Sequence, residues 1–264
     1  MERKNLKSEN GTVYYWLCGD SKTAIIFTHG ATMDHGMFQP QMEFFADRYR
    51  TISWDVPQHG SSRPYENFSL QSAAEELVHI LDAEKIDKAH LVGQSMGGYI
   101  IQIAALNHPG RVISLTGVDS SPIQPFYFSA LDNWLLKITP TLLKLYPYHT
   151  LVNTIASQIA LTSAGQDYAR ETLQSYTKGE IADIMGAVYS GLQVYTDDFK
   201  LPQPLLVTYG DADNTGKVQA YCDRWAEIED RTLVVIPNAA HNSNMDNPEY
   251  FNKILDEFLL SVSG

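Results

Sequence analysis

The chain has 264 residues, of which 44% are hydrophobic and 19% charged, and its formal net charge is −12. This length and composition are typical of one large α/β domain, and the acidic balance, without a basic stripe, argues against nucleic acid and anionic membranes as partners. No apolar run reaches the roughly 18 residues of a transmembrane helix, and the N-terminal segment lacks the apolar core of a signal peptide.

The chain before residue 120 alternates predicted strands with predicted helices. Asn10-Gly11 is a tight-turn dipeptide followed by strand formers, which predicts an antiparallel hairpin at one edge of a sheet. Short all-apolar runs then alternate with apolar residues at helical spacing, the pattern of parallel strands joined by right-handed crossovers. The predicted strands that follow the hairpin are 24–28, 51–56, 89–92 and 112–118, and the predicted helices are 38–49, 70–81 and 96–106.

The alternation stops after the strand at 112–118. From 122 to about 200 the chain is mainly helical and aromatic, which predicts a helical cap inserted into the sheet domain. Strands at 205–209 and 232–237 and helices at 218–229 and 248–262 then complete the pattern. We therefore expect one α/β domain over 1–264, with a mostly parallel sheet flanked by helices and a cap inserted after strand six.

The segment Gly93-Gln94-Ser95-Met96-Gly97-Gly98 joins a predicted strand to a predicted helix. Gly-x-Ser-x-Gly in this context describes a nucleophile elbow, a turn so sharp that a side chain two residues to either side of the serine would clash. The Ser95 hydroxyl then stands clear of the sheet. The helix that begins at Met96 directs its unpaired N–H groups toward developing negative charge.

A serine hydroxyl needs a base to accept its proton, and the base needs a third group to orient it. Both are expected at the carboxyl ends of later strands, toward which the elbow points. The seventh strand ends in Gly210-Asp211-Ala212-Asp213, and His241 follows the last strand. The chain order Ser95, Asp213, His241 is the one expected of an α/β-hydrolase.

These motifs together resemble the α/β-hydrolase superfamily over nearly the whole chain. The matching residues are His29-Gly30 after the third strand, the elbow around Ser95, Gly210 to Asp213, and His241. The sequence is most similar to the small capped serine hydrolases: esterases, lactonases and carbon–carbon bond hydrolases. The resemblance implies an eight-stranded sheet and a Ser95–His241–Asp213 triad.

Two other carboxylates remain alternatives for the acid. Asp211 lies closer to the strand than Asp213 and suits a turn cap, whereas Asp119 follows the sixth strand, where some members of the superfamily carry the acid. The resemblance also implies that the backbone N–H groups of Ala31 and Met96 form the oxyanion hole.

The predicted activity is hydrolysis of a small carboxylic ester or lactone through an acyl-enzyme on Ser95. One alternative is hydrolysis of a carbon–carbon bond in a dienoic keto-acid, which calls for cationic groups such as Arg170 in the pocket. Another is a ligand-binding signalling protein that retains the triad. Candidates for an apolar pocket lining in the cap are Phe126, Tyr127, Phe128, Trp134, Leu135 and Leu136.

The cysteines and the nucleotide-binding motifs of the sequence predict a protein without a metal ion or cofactor. The two cysteines, Cys18 and Cys222, lie in no CxxC or Cys/His cluster, so we expect neither a disulfide framework nor a zinc site, and a cytoplasmic location. No Walker motif or strand-associated Gly-x-Gly-x-x-Gly occurs, so no nucleotide cofactor is expected. The expected partner is a small-molecule substrate, and the sequence leaves the oligomeric state open.

Overall fold

The computed structural model describes residues 1–195 and 199–262 and contains one eight-stranded sheet. The strands are β1 (Glu2–Ser8), β2 (Gly11–Cys18), β3 (Ala24–Thr28), β4 (Arg50–Trp54), β5 (Ala89–Gln94), β6 (Val112–Val118), β7 (Leu205–Gly210) and β8 (Thr232–Ile236). Their order across the sheet is β1-β2-β4-β3-β5-β6-β7-β8. β2 pairs antiparallel with β1 and β4, and the strands from β4 to β8 pair parallel.

Helices surround this sheet and fill the interval between β6 and β7. They are α1 (Gln39–Phe45), α2 (Leu70–Ala83), α3 (Met96–Asn107), α4 (Ala130–Leu143), α5 (Tyr148–Ile159), α6 (Ser163–Gln174), α7 (Lys178–Leu192), α8 (Val218–Glu229), α9 (Ser243–Asp246) and α10 (Pro248–Val262). Helices α4 to α7 are the predicted insertion, called the helical insertion below. Residues 196–198 of the predicted cap and 263–264 of the predicted domain lie outside the described residues.

The predicted architecture is confirmed, including the hairpin edge and the insertion after the sixth strand. The helix predicted over 38–49 is shorter, because a 3-10 turn at His35–Phe38 precedes it and the chain turns after Phe45. None of the described helices is both long and apolar enough to cross a membrane.

The core lies on both faces of the sheet. In β3, Ile26 belongs to one apolar cluster while Ile25 and Phe27 belong to the other, as expected when successive side chains of a strand point to opposite faces. All three are fully buried, and each contributes about 1.5–3 kcal/mol on burial. Both faces of the sheet are covered, and in such α/β sheets ligands bind at the carboxyl edge of the strands.

Candidate active site

Ser95 occupies the sharp turn between β5 and α3. Its backbone lies at φ 49° and ψ −115°, in the left-handed half of φ space that non-glycine residues rarely adopt, at a cost of about 1–3 kcal/mol. The Ser95 N–H donates to the Val118 carbonyl over 2.9 Å, and the Ser120 hydroxyl donates to the Ser95 carbonyl over 2.8 Å. Contacts to β6 and the loop behind it therefore hold the strained turn.

The glycines on either side of Ser95 are required by close backbone approach. A Cβ atom on Gly97 would collide with the carbonyl oxygen of Thr28, and one on Gly93 would collide with the carbonyl of Gly97. These are the steric reasons predicted for the Gly-x-Ser-x-Gly pattern.

His241 and Asp213 form a buried pair at the same edge of the sheet. The His241 Nδ1 lies 2.8 Å from Asp213 Oδ2, and Asp213 Oδ1 accepts a 2.8 Å hydrogen bond from the Thr215 N–H. Burial by itself lowers the pKa of His241, but the charge of Asp213 and the hydrogen bond to it outweigh burial and raise that pKa. Burial likewise opposes the Asp213 charge, yet His241 keeps the Asp213 pKa below its usual range.

The two alternative carboxylates have other partners. Asp119 accepts from the Gly210 N–H over 2.8 Å and from the Ser243 N–H and hydroxyl over 3.1 and 2.6 Å. Burial raises the pKa of Asp119 to about 8. Asp211 accepts from the Ala239 N–H over 3.1 Å, as a turn cap does. Among these three carboxylates, Asp213 is the one bonded to the His241 ring.

The residues predicted for an oxyanion hole lie beside Ser95. Ala31 and Met96 line the same cavity as Ser95 and His241, and within the described residues their backbone N–H groups have no acceptor. The preceding His29 is buried; its Nδ1 contacts the Gly30 carbonyl over 2.7 Å and its Nε2 accepts from the Val56 N–H over 3.0 Å. Since both ring nitrogens of His29 have backbone partners, the imidazole fixes the loop that contains Gly30 and Ala31.

A cavity of about 310 Å³ opens above Ser95. The helical insertion supplies much of its apolar wall: Leu136, Leu143, Ile155, Ile159, Ile181, Met185, Val188, Tyr189 and Leu192. Of the six predicted lining residues, Phe128 and Leu136 contact the cavity. Phe126, Trp134 and Leu135 are instead exposed, and Tyr127 is buried outside the cavity wall.

Sequence patterns did not indicate two polar residues of this cavity. Gln94 donates to the His241 carbonyl over 2.7 Å, and Asn242 follows His241 directly. Each makes a contact between segments that are distant in the sequence. Gln94 is a variable position of the elbow motif, so the motif assigns it no role, and Asn242 belongs to no motif recognised above.

One cluster elsewhere in the described residues has metal-ligand atoms within 4.8 Å of one another: Asp34, His35 and Asp55. Asp55 Oδ1 accepts from the N–H of His35 and contacts its Nδ1, both over 2.8 Å, and Oδ2 accepts from the Ser61 N–H over 2.6 Å. The His35 ring also stacks on Trp16. Through these hydrogen bonds Asp55 holds the segments that contain His35 and Ser61 in place, which accounts for the cluster.

The family model described as the alpha/beta hydrolase fold matches residues 23–248. The chain belongs to this family. One curated relative is 3-oxoadipate enol-lactonase 1 of Acinetobacter baylyi, which is 28% identical over 92% of this chain and 91% of the relative. Another is a pimeloyl-[acyl-carrier protein] methyl ester esterase of Yersinia enterocolitica, which is 26% identical over 92% of this chain and 96% of the relative. The solved structure of a thermophilic esterase from Thermogutta terrifontis superposes with a TM-score of 0.81 at 20% identity, covering 99% of both chains. This member of the alpha/beta hydrolase family is an enzyme, and the two curated relatives are named as an enol-lactonase and a methyl ester esterase.

Proposed function

We propose that the protein is a serine hydrolase that cleaves a small carboxylic ester or lactone through an acyl-enzyme on Ser95. The observation that carries the proposal is the 2.8 Å contact between His241 Nδ1 and Asp213, because His241 and Ser95 line the same cavity. A base oriented by a carboxylate, in the same cavity as a serine on a strained turn, is the arrangement that can activate a hydroxyl.

The proposed reaction assigns roles to Ser95, His241, Asp213, Ala31 and Met96. Ser95 Oγ attacks the substrate carbonyl while His241 Nε2 takes its proton, and Asp213 stabilises the resulting imidazolium from the Nδ1 side. The N–H groups of Ala31 and Met96, which have no acceptor among the described residues, stabilise the tetrahedral oxyanion. His241 then protonates the leaving alcohol, and a water that it activates releases the acid from Ser95.

The helical insertion is proposed to act as a cap that selects the substrate by size and polarity. Its apolar side chains form much of the wall above Ser95, and a cavity of about 310 Å³ is at the small end of ligand pockets. The names of the two curated relatives, a lactonase and a methyl ester esterase, support the same substrate class.

Carbon–carbon bond hydrolysis has less support. Arg170, the cation considered for a keto-acid substrate, is not among the described cavity residues, and its guanidinium binds Asp167 and Gln166. A cytoplasmic location stays a proposal that rests on Cys18 and Cys222, which are unpaired thiols.

The test is steady-state hydrolysis of p-nitrophenyl esters from acetate to octanoate by wild type and Ser95→Ala. We expect turnover with a chain-length optimum in wild type and a loss of at least 1,000-fold in Ser95→Ala, which keeps its fold because serine and alanine differ by one hydroxyl. Turnover that survives in a folded Ser95→Ala protein contradicts the mechanism. A folded wild type that binds these esters without turnover favours the signalling alternative.

A further inference from the structure

Asp246, the last residue of α9, binds two segments of the chain at once. Its Oδ1 accepts from the N–H and the hydroxyl of Thr162, each over 2.8 Å. Its Oδ2 accepts from the Leu161 N–H over 2.8 Å and from the Ala240 N–H over 3.0 Å. Leu161 and Thr162 lie between α5 and α6 of the helical insertion, whereas Ala240 directly precedes His241. One carboxylate therefore joins the insertion to the loop of the proposed base.

A further bond joins the same two segments on the other side of His241. The Asn242 N–H donates to the Ile159 carbonyl over 2.7 Å, at the end of α5. The Asn242 carbonyl in turn accepts from the Asp246 N–H over 3.0 Å, which fixes the position of the carboxylate relative to this loop. Both chain neighbours of His241 are thus bonded to the insertion, one directly and one through Asp246.

The Asp246 contacts lie outside the cavity wall. Asp246 is half-buried, and neither it nor Thr162 is among the described cavity residues, so a contact with substrate does not account for them. The Asp246 side chain accepts from neutral groups in all four bonds, and bonds to a charged acceptor are stronger than those between neutral groups. Because α5 also supplies Ile155 and Ile159 to the cavity wall, this wall and the base loop are held as one unit.

We propose that Asp246 is a positioning residue of the reaction. It fastens the turn between α5 and α6 to the base loop and so holds the His241 ring in the geometry that proton transfer from Ser95 needs. This inference rests on the proposed function, and it gives the helical insertion a part in the chemistry as well as in the selection of substrate. Small displacements of a reacting group are costly, so the effect reaches the rate even though Asp246 touches no substrate.

The first test is Asp246→Asn, with Glu84→Gln as its control. Asparagine has an amide nitrogen, which donates, in place of one of the two oxygens that accept. Glu84 is also a carboxylate that binds several groups, those of Tyr15, Lys4 and Arg50, and it is not among the described cavity residues. kcat and KM are measured for p-nitrophenyl acetate, whose small acyl group needs little of the apolar wall.

We expect Asp246→Asn to lower kcat about tenfold while KM stays within about twofold of wild type, and Glu84→Gln to change neither. The two constants separate the two possible roles. A residue that only shapes the cavity wall changes substrate binding and raises KM, whereas a displaced base lowers kcat.

Thr162→Val tests the same connection from the side of the insertion. The Thr162 hydroxyl donates to Asp246 and also caps α6 by accepting from the Gly165 N–H. The control is Thr177→Val, because Thr177 caps α7 in the same way and its hydroxyl donates to Glu180 instead. We expect Thr162→Val to lower kcat about threefold and Thr177→Val to preserve it. This pair replaces the first test if Asp246→Asn does not fold.

The pKa of the His241 ring gives a readout that needs no turnover. It is followed by NMR of isotope-labelled histidine, and the signal is assigned with a His241→Gln protein. Asp213 and, to a smaller extent, Asp119 are the carboxylates that raise this pKa, so a fall in Asp246→Asn reports a loosened contact with Asp213 rather than the lost charge. We expect this fall in Asp246→Asn and an unchanged pKa in Glu84→Gln.

An unchanged kcat in a folded Asp246→Asn protein overturns the proposal. A rise in KM alone also overturns it and assigns Asp246 to the shape of the cavity wall. Equal losses of kcat in Thr162→Val and Thr177→Val, or in Asp246→Asn and Glu84→Gln, have the same consequence. A wild type without turnover contradicts the proposed function, and the His241 pKa then decides separately: if Asp246→Asn leaves it in place, the positioning role is wrong as well.

Discussion

The side-chain amide of Gln94 donates a 2.7 Å hydrogen bond to the backbone carbonyl of His241. The residue before the proposed nucleophile therefore holds the loop of the proposed base. Gly30 makes room for this contact, because a Cβ atom there would collide with the Gln94 side-chain oxygen. The turn at Ser95, the loop that contains Gly30 and the loop that contains His241 thus meet at one buried amide.

Replacing Gln94 with methionine should lower kcat about ten- to 100-fold, because His241 loses its backbone anchor and small displacements of a base are costly. The matched control is Gln124→Met, since Gln124 is also buried and donates to the Phe199 carbonyl and Glu229, away from the cavity. Rates and melting temperatures of both variants are measured. Equal activity losses in the two variants would assign the Gln94 effect to general destabilisation.

Asp213→Asn should lower kcat about 10³- to 10⁴-fold and shift the acid limb of the pH profile. The base must be neutral, so activity falls as pH drops through the raised pKa of His241. Removing the Asp213 charge lowers that pKa, and the limb moves to lower pH.

The control for this prediction is Asp119→Asn. Asp119 accepts hydrogen bonds from Gly210 and Ser243, whereas Asp213 is bonded to the His241 ring, and the Asp119 charge is the smallest of the causes that raise the pKa of His241. We expect a loss below tenfold and little movement of the acid limb. A larger loss in Asp119→Asn than in Asp213→Asn would exchange the roles of the two carboxylates.

The sequence was sufficient to predict the strands and the sharp turn at Ser95, because each follows from a local pattern. The partner of His241 was harder to predict from the sequence, since Asp119 and Asp213 both follow strands that end at the same edge of the sheet. The folded structure distinguishes the two carboxylates, because Asp213 is bonded to the His241 ring and Asp119 to the Gly210 N–H. The contacts of Gln94 and Asn242 were equally hard to predict, because each joins segments that are distant in the sequence.

The wall of the cavity was also only partly predictable. Leu135 and Leu136 are adjacent apolar residues on α4, but Leu136 lines the cavity and Leu135 is 41% exposed. Because apolar residues occur on both sides of this helix, composition did not indicate which side faces Ser95.

Leu136→Trp should therefore shorten the preferred acyl chain, since the larger ring fills part of a cavity of about 310 Å³. Leu135→Trp places the same ring on the exposed side of α4 and should leave the chain-length optimum unchanged. The p-nitrophenyl ester series measures both. A shift of the optimum in Leu135→Trp, or none in Leu136→Trp, contradicts this placement of the cavity.

The Lys217–Asp132 pair should couple the loop after Asp213 to the first turn of α4. Lys217 Nζ lies 2.7 Å from Asp132 Oδ1, and the other oxygen of Asp132 completes a capping box with Ser129. The hydrogen bond from Lys217, followed by that from Ser129, lowers the pKa of Asp132. A depressed carboxylate pKa stabilises the folded protein above the ordinary carboxyl pKa, and this contribution is lost as pH falls through the lowered value.

A double-mutant cycle with Lys217→Met and Asp132→Asn should give a coupling of about 0.5–1 kcal/mol at neutral pH, because Asp132 is buried but Lys217 is half-exposed. Urea unfolding measures the four proteins. The exposed pair Lys144–Asp183, at 3.0 Å, provides the control cycle and should give a smaller coupling. Since the Lys217–Asp132 coupling needs an ionised carboxylate, it should persist down to about pH 4. If it disappears at a higher pH, the pair does not hold Asp132 in its charged form.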